Sequence, residues 1–352
     1  MSYTLEQLVG QLIIAGFRGK IIEPKSPIVE YIKDFNLAGV ILYDIDLEIS
    51  GEKLTPGTRN IESPAQVKEL IAQLQKIAKN QLLISIDQEG GLSSRLKSIY
   101  GFQEDTSWGH IGKLDSEILT KQFSISMADT LSKAGVNLNF APVLDLDYGK
   151  GTVISDQERA FSSNPDNVIK HARIFINAHR ENNIITCGKH FPGLGSASGD
   201  THEGLTNITE TWTVKDMIPF DKLIQNNDLD SVMVSHAFDK KLDPQYPASL
   251  STKIIQEILI KDLGFKGLII CDDPSMRAIS DHYSMEQTFE LMLNGGVDLF
   301  CLGNNLIYDP EYIPKAIHTI CKLINSGKIK KSRIIGSINK INSLKSFYGI
   351  HK

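Results

Sequence analysis

The sequence predicts an α/β protein folded as a single (β/α)₈ TIM barrel, and three observations carry that prediction. Short β-branched apolar runs recur eight times, amphipathic helical patterns separate them, and no break in composition divides the 352 residues. One closed barrel accommodates eight such units, and barrels commonly run past ~250 residues. The expected organisation is therefore one domain over residues 1–352 with no second domain. An open doubly wound sheet is the competing arrangement, but no GxGxxG string follows the first run.

The eight runs, in order, are LIIAGF (12–17), AGVILYD (38–44), LLISID (82–87), VNLNFAPVLDLD (136–147), IITCGKH (184–190), SVMVSHA (231–237), GLIICDD (267–273) and VDLFCLG (297–303). Between the second and third, SPAQVKELIAQLQKIAK has 3.6-residue apolar periodicity, with Ser63 as N-cap and Pro64 at the first helical position. Further helices are expected near 115–134, 165–182, 251–263, 284–295 and 309–327. KIKKSR (328–333) reads as the solvated start of a last helix. Two connections are long, 44–62 after the second strand and 150–167 after the fourth, and both follow strand C-termini, the catalytic face of a barrel.

Composition excludes several function classes. With 41% hydrophobic and 22% charged residues the chain can bury a large core. A net charge of -5 without a basic stripe argues against a nucleic-acid partner. No 18-residue apolar span and no basic leader are present, and Cys187, Cys271, Cys301 and Cys321 form no CxxC pair. These features lead us to expect a cytoplasmic protein in a reducing compartment, with no membrane partner.

Polar exceptions gather at the strand ends: Asp87, Asp145, Asp147, Lys189, His190, His236, Asp272 and Asp273. A strand-terminal Asp often only caps the next helix. On a barrel, however, all of these converge on one mouth. The stretch GKHFPGLGSASGDTHEGL (188–205) admits three chemistries. Phosphate cradling fails on order, because the lysine precedes the glycines. A metal centre has suitable ligand types in Asp200, His202, His190, His236 and Asp272 but no HxH or HExxH spacing. Retaining glycoside hydrolysis needs a nucleophile and a proton donor, for which Asp272 and His202 serve, with Asp200 orienting the imidazole and glycines making the loop mobile.

The string Lys189-His190-Phe191-Pro192-Gly193, then Gly195, then Asp200-Thr201-His202 resembles the KHFPGxG(x4)D[ST]H signature of the β-N-acetylglucosaminidases of glycoside hydrolase family 3. IDQEGG (86–91) followed by Arg95, NFAPVLDLD (139–147), RAF (159–161), MVSHAF (233–238) and CDDPSM (271–276) extend the resemblance in the expected order. It implies a (β/α)₈ barrel with Asp272 as nucleophile, His202 as acid/base and Asp200 as its dyad partner. It further implies that Asp87, Arg95, Arg159, Lys189 and His190 hold the sugar. The implied reaction removes non-reducing GlcNAc from GlcNAc-1,6-anhydroMurNAc, with or without peptide, in peptidoglycan recycling. On this reading the partner is a small carbohydrate, no cofactor or metal is needed, and the chain works as a monomer. A GlcNAc phosphorylase, another β-glycosidase of the family, a metal-dependent barrel hydrolase and a sugar-binding protein without catalysis are the alternatives. Leu92 and Leu194 stand where many members carry arginine and histidine, and the 44–60 loop is long, so the aglycone side departs from the pattern.

Overall fold

Alternation along a strand sends successive side chains to opposite faces, so a run that is apolar throughout must be buried on both. All eight runs meet that demand in the computed structural model, which describes residues 3–199 and 204–351. The strands are β1 (Ile13–Gly16), β2 (Gly39–Leu42), β3 (Leu83–Ile86), β4 (Leu138–Asn139), β5 (Ile185–Phe191), β6 (Ser231–Val234), β7 (Leu268–Cys271) and β8 (Leu299–Leu302). Each pairs in parallel with its sequence neighbour, and β1 closes on β8 through Ile14 opposite Cys301.

Two apolar cores follow from the alternation. Ile14, Ile41, Leu83, Leu138, Ile185, Cys187, Met233, Ile270, Leu299 and Cys301 fill the barrel interior. The intervening residues, among them Ala15, Val40, Ile84, Val232, Ile269, Cys271 and Phe300, pack outward with the helices. The four cysteines are free and buried, as small hydrophobes. Ile341, Tyr348 and Ile350 from the C-terminal segment join the interior cluster and close the end of the barrel opposite the strand C-termini.

The expected helices form at Pro64–Ile77, Glu117–Ala134, Pro165–Glu181, Met285–Gly295 and Tyr312–Asn325, and the last helix spans Lys331–Phe347. Ser63 caps the first of these by accepting from Gln66 N–H, with Pro64 at its first position. The segment Lys253–Asp262 is helical but of the wide π type. Helices at Pro27–Phe35 and Ile218–Gln225 complete the outer layer. Among the described residues no helix is long and apolar enough to cross a membrane.

One element is shorter than its sequence suggests. The fourth run was expected to be strand over 136–147, but pairing is confined to Leu138–Asn139, with an isolated bridge from Val143 to Lys189. Pro142 lacks an N–H for the ladder, and beyond Asn139 the backbone bonds to β5 are irregular, with Cys187 N–H donating to Ala141 O, Lys189 N–H to Pro142 O and Leu144 N–H to Lys189 O. Asn139 accepts from Gln88 N–H and donates to Gln88 C=O, tying β4 to the turn that follows β3. That irregularity swings Asp145 inward toward β5.

Candidate active site

The strand C-termini surround a cavity of ≈ 530 Å³, of a size that suits a sugar-sized ligand. Asp87, Arg95, Arg159, Lys189, His190 and Asp272 all line it, so six of the eight predicted site residues meet in one place. The other two, Asp200 and His202, lie outside the described residues. Gly199, the last described residue before them, also lines the cavity.

Asp272 follows β7 directly and is half-buried. Its Oδ1 accepts from the Asp273 N–H at 2.9 Å, which fixes the carboxylate at the mouth. Asp273 also lines the cavity, and its two oxygens accept from Ser275 N–H and Gly303 N–H, both at 2.9 Å. Burial, reinforced by the neighbouring Asp272 charge, pushes the Asp273 carboxyl up to about 6. His236 braces this turn. Its Nε2 donates to the Asp273 carbonyl at 2.9 Å, which leaves Nδ1 to accept from Ser249 Oγ at 2.7 Å. Among the described residues, no group of three or more His, Cys, Asp or Glu is placed to hold a metal ion.

Opposite Asp272 runs a chain of charge-assisted bonds. Lys189 donates to Asp87 at 2.7 Å and pairs with Glu89 at 2.6 Å. Glu89 takes Arg159 in a bidentate fork at 2.6 and 2.8 Å. Arg159 in turn donates to His190 Nε2 at 3.2 Å, so His190 carries its hydrogen on Nδ1 and donates it to Asp145 at 2.6 Å. Arg95 lies 3.7 Å from Asp87.

Two of these residues were not assigned roles from sequence. Glu89 is quoted within IDQEGG and Asp145 among the strand ends, yet both are buried here and organise the others. Burial alone would raise the Glu89 carboxyl, but Arg159 and Lys189 outweigh it and hold the group well below the usual carboxylate range. By the same coupling, burial would lower Arg159 and Lys189, while Glu89, with Asp87 beside Lys189, keeps both raised and charged. A carboxylate two residues beyond Asp87 and immediately before a Gly-Gly turn was the available signal for Glu89.

Within the glycine-rich stretch the first glycines are packed, whereas a Cβ on Gly204 would meet nothing within 4 Å. Flexibility was the expected reason for its glycines, yet residues 191–197 are all buried. A Cβ on Gly195 would sit 2.1 Å from Leu146 O, and one on Gly193, at φ 117°, would sit 2.5 Å from Asp216 Cβ. These glycines allow close packing rather than motion. Leu194 N–H donates to Asp145 at 2.6 Å, and its side chain packs with Ala197, Ile208, Trp212 and Ala237. Exposure begins only at Ser198.

Comparison with known proteins agrees with this geometry. Residues 4–344 match the glycosyl hydrolase family 3 N terminal domain. A β-hexosaminidase of Hydrogenovibrio crunogenus is 32% identical over 352 residues, covering 94% of this chain and 92% of that one. One from Nitrosomonas eutropha is 33% identical over 283 residues, covering 77% and 80%. The solved structure of a glycoside hydrolase family 3 β-N-acetylglucosaminidase from Paenibacillus sp. str. FPU-7 superposes with a TM-score of 0.88 at 28% identity. That alignment covers 99% of this chain, which spans 63% of the longer Paenibacillus chain.

Proposed function

Because the chain belongs to glycosyl hydrolase family 3, and so is a glycoside hydrolase, we propose that it is a retaining β-N-acetylhexosaminidase acting on GlcNAc-terminated peptidoglycan fragments. The carrying observation is the meeting of Asp272 with the paired set Asp87, Arg95, Arg159, Lys189 and His190 across one cavity. In that set every cation already has a carboxylate partner, so the pocket offers fixed hydrogen-bond donors and acceptors rather than a bare charge. Such an array suits vicinal hydroxyls better than it suits a phosphate.

In the proposed reaction a carboxylate oxygen of Asp272 attacks the anomeric carbon as the glycosidic C–O bond breaks. His202 gives a proton to the departing oxygen, with Asp200 steadying the imidazolium. Water then attacks the anomeric carbon of the glycosyl ester, loses a proton to His202 and frees Asp272. The roles of Asp200 and His202 rest on the resemblance of residues 189–202 to the KHFPGxG(x4)D[ST]H signature of the family. No metal or cofactor takes part in these steps. The proposal includes a cytoplasmic place in peptidoglycan recycling, which the four free cysteines support.

Incubation with GlcNAc-1,6-anhydroMurNAc, with and without peptide, followed by mass spectrometry of the products, tests this reading. Free GlcNAc is expected whether or not phosphate is present. GlcNAc-1-phosphate in phosphate buffer would reassign the chain as a phosphorylase, and intact substrate would remove the peptidoglycan reading.

A further inference from the structure

The charged floor of the cavity does not extend to its rim. Ile45, Leu47, Leu54, Leu92, Val153 and Leu306 line the cavity on the loops that follow β2, β3, β4 and β8. Leu54 and Leu92 stand out because they are 52% and 74% exposed while facing it. Leu54 also sits in the left-handed region, at φ 46°. A leucine there is strained where Gly or Asn would be at ease. The backbone thus holds a leucine, at a cost, where its side chain meets solvent and cavity together.

The ledge is fixed in place. Asp46 caps the short helix Leu47–Ser50 by accepting from Ile49 N–H at 3.1 Å, and it pairs with fully buried Arg59 at 2.8 Å. Arg59 donates onward to Asn304 O at 2.8 Å, joining the β2 loop to the β8 loop. Among the described residues, each lysine and arginine that lines the cavity has a carboxylate neighbour. Of the four cations lining the cavity, Lys97 pairs with Asp44 at 2.6 Å, Arg95 lies 3.7 Å from Asp87, and Arg159 and Lys189 share Glu89.

We infer that Leu54 and Leu92, with Leu47, form an apolar ledge for the leaving group, selecting aglycones that lay an uncharged, apolar surface next to the cleaved bond. The occupant is the aglycone because the ledge is continuous with the cavity that takes the sugar. This inference rests on the hexosaminidase reading and specifies its substrate class. Among muropeptide fragments it favours those whose lactyl carboxyl is capped as an amide by peptide over those with the free carboxylate.

Three alkyl β-N-acetylglucosaminides test it: methyl, hexyl and 5-carboxypentyl, whose leaving alcohols differ little in acidity. For the full chain, kcat/KM is expected to be about tenfold higher for hexyl than for methyl, as befits five methylenes partly covered. The carboxylate is expected to cancel most of that gain. In the Leu54→Asn, Leu92→Asn double variant, where Asn suits the left-handed position, the hexyl-to-methyl ratio is expected to fall to within about twofold of one. A ratio near one in the wild type, or a tenfold ratio that survives in the variant, overturns the ledge and leaves the hexosaminidase reading intact. Failure of the wild type to cleave any of the three overturns both.

Discussion

Glu89 lines the cavity and organises the cations around it. It pairs with Arg159 and Lys189 at once, and without it Arg159 would lose its carboxylate fork while Lys189 kept only Asp87. Glu89→Gln is expected to lower the unfolding free energy by about 3 kcal/mol, because an uncompensated buried charge is left behind. It is also expected to cut kcat/KM by about a hundredfold as Arg159 and Lys189 lose their orientation. Urea unfolding and steady-state kinetics on a chromogenic β-N-acetylglucosaminide measure the two, and unchanged kinetics would show that Glu89 serves the fold alone. Asp273 and His179 supply a second prediction, with opposite signs. Burial pushes the Asp273 carboxyl up from 3.8 to about 6, so its stabilising contribution is full below pH 3.8 and is lost as pH rises through 6. Burial pushes His179 down from 6.5 to about 4, so its contribution is full above pH 6.5 and is lost as pH falls through 4. Asp273→Asn removes the first dependence and keeps the second. Its unfolding free energy should therefore fall more steeply than the wild type's between pH 6.5 and 5, by about 1 kcal/mol in urea titrations. Equal slopes would mean that Asp273 is not protonated in the folded chain. Glu89 and Asp145 were visible as carboxylates near strand ends, but which cations they serve depends on loops that meet only in the folded barrel.

At the scale of elements, the connections shape the site as much as the strands do. The β2 loop was legible as long and functional, whereas the buried Asp46–Arg59 pair that stiffens it was not, since it joins residues whose pairing no period predicts. Asp46→Asn is expected to cost about 3 kcal/mol of unfolding free energy, chiefly through Arg59, which is fully buried, and less through Arg18, which is 31% exposed. A urea midpoint unchanged at constant slope would contradict it. The glycines after β5 teach the converse lesson. Glycine density signals backbone freedom or close approach equally well in sequence, and only Leu146 O beside Gly195 and Asp216 beside Gly193 decide for close approach. The fourth strand misled for a related reason: its apolar run continues through 147, but Pro142 has no N–H to give, and beyond Asn139 only irregular backbone bonds to β5 remain.

For the whole molecule, eight apolar runs were enough to read the barrel, because burial on both faces leaves parallel strands few other arrangements. That topology then placed Asp87, Arg95, Arg159, Lys189, His190 and Asp272 around one mouth, although up to 185 positions separate them along the chain. In the proposed reaction Asp272 becomes covalently joined to the sugar. A fluorinated β-N-acetylglucosaminide that forms the glycosyl ester quickly and releases it slowly, followed by proteolysis and peptide mass spectrometry, tests this most directly. One added sugar is expected on the peptide containing Asp272, and none in Asp272→Ala. A label on any other residue, or turnover of the compound without a labelled peptide, would contradict it.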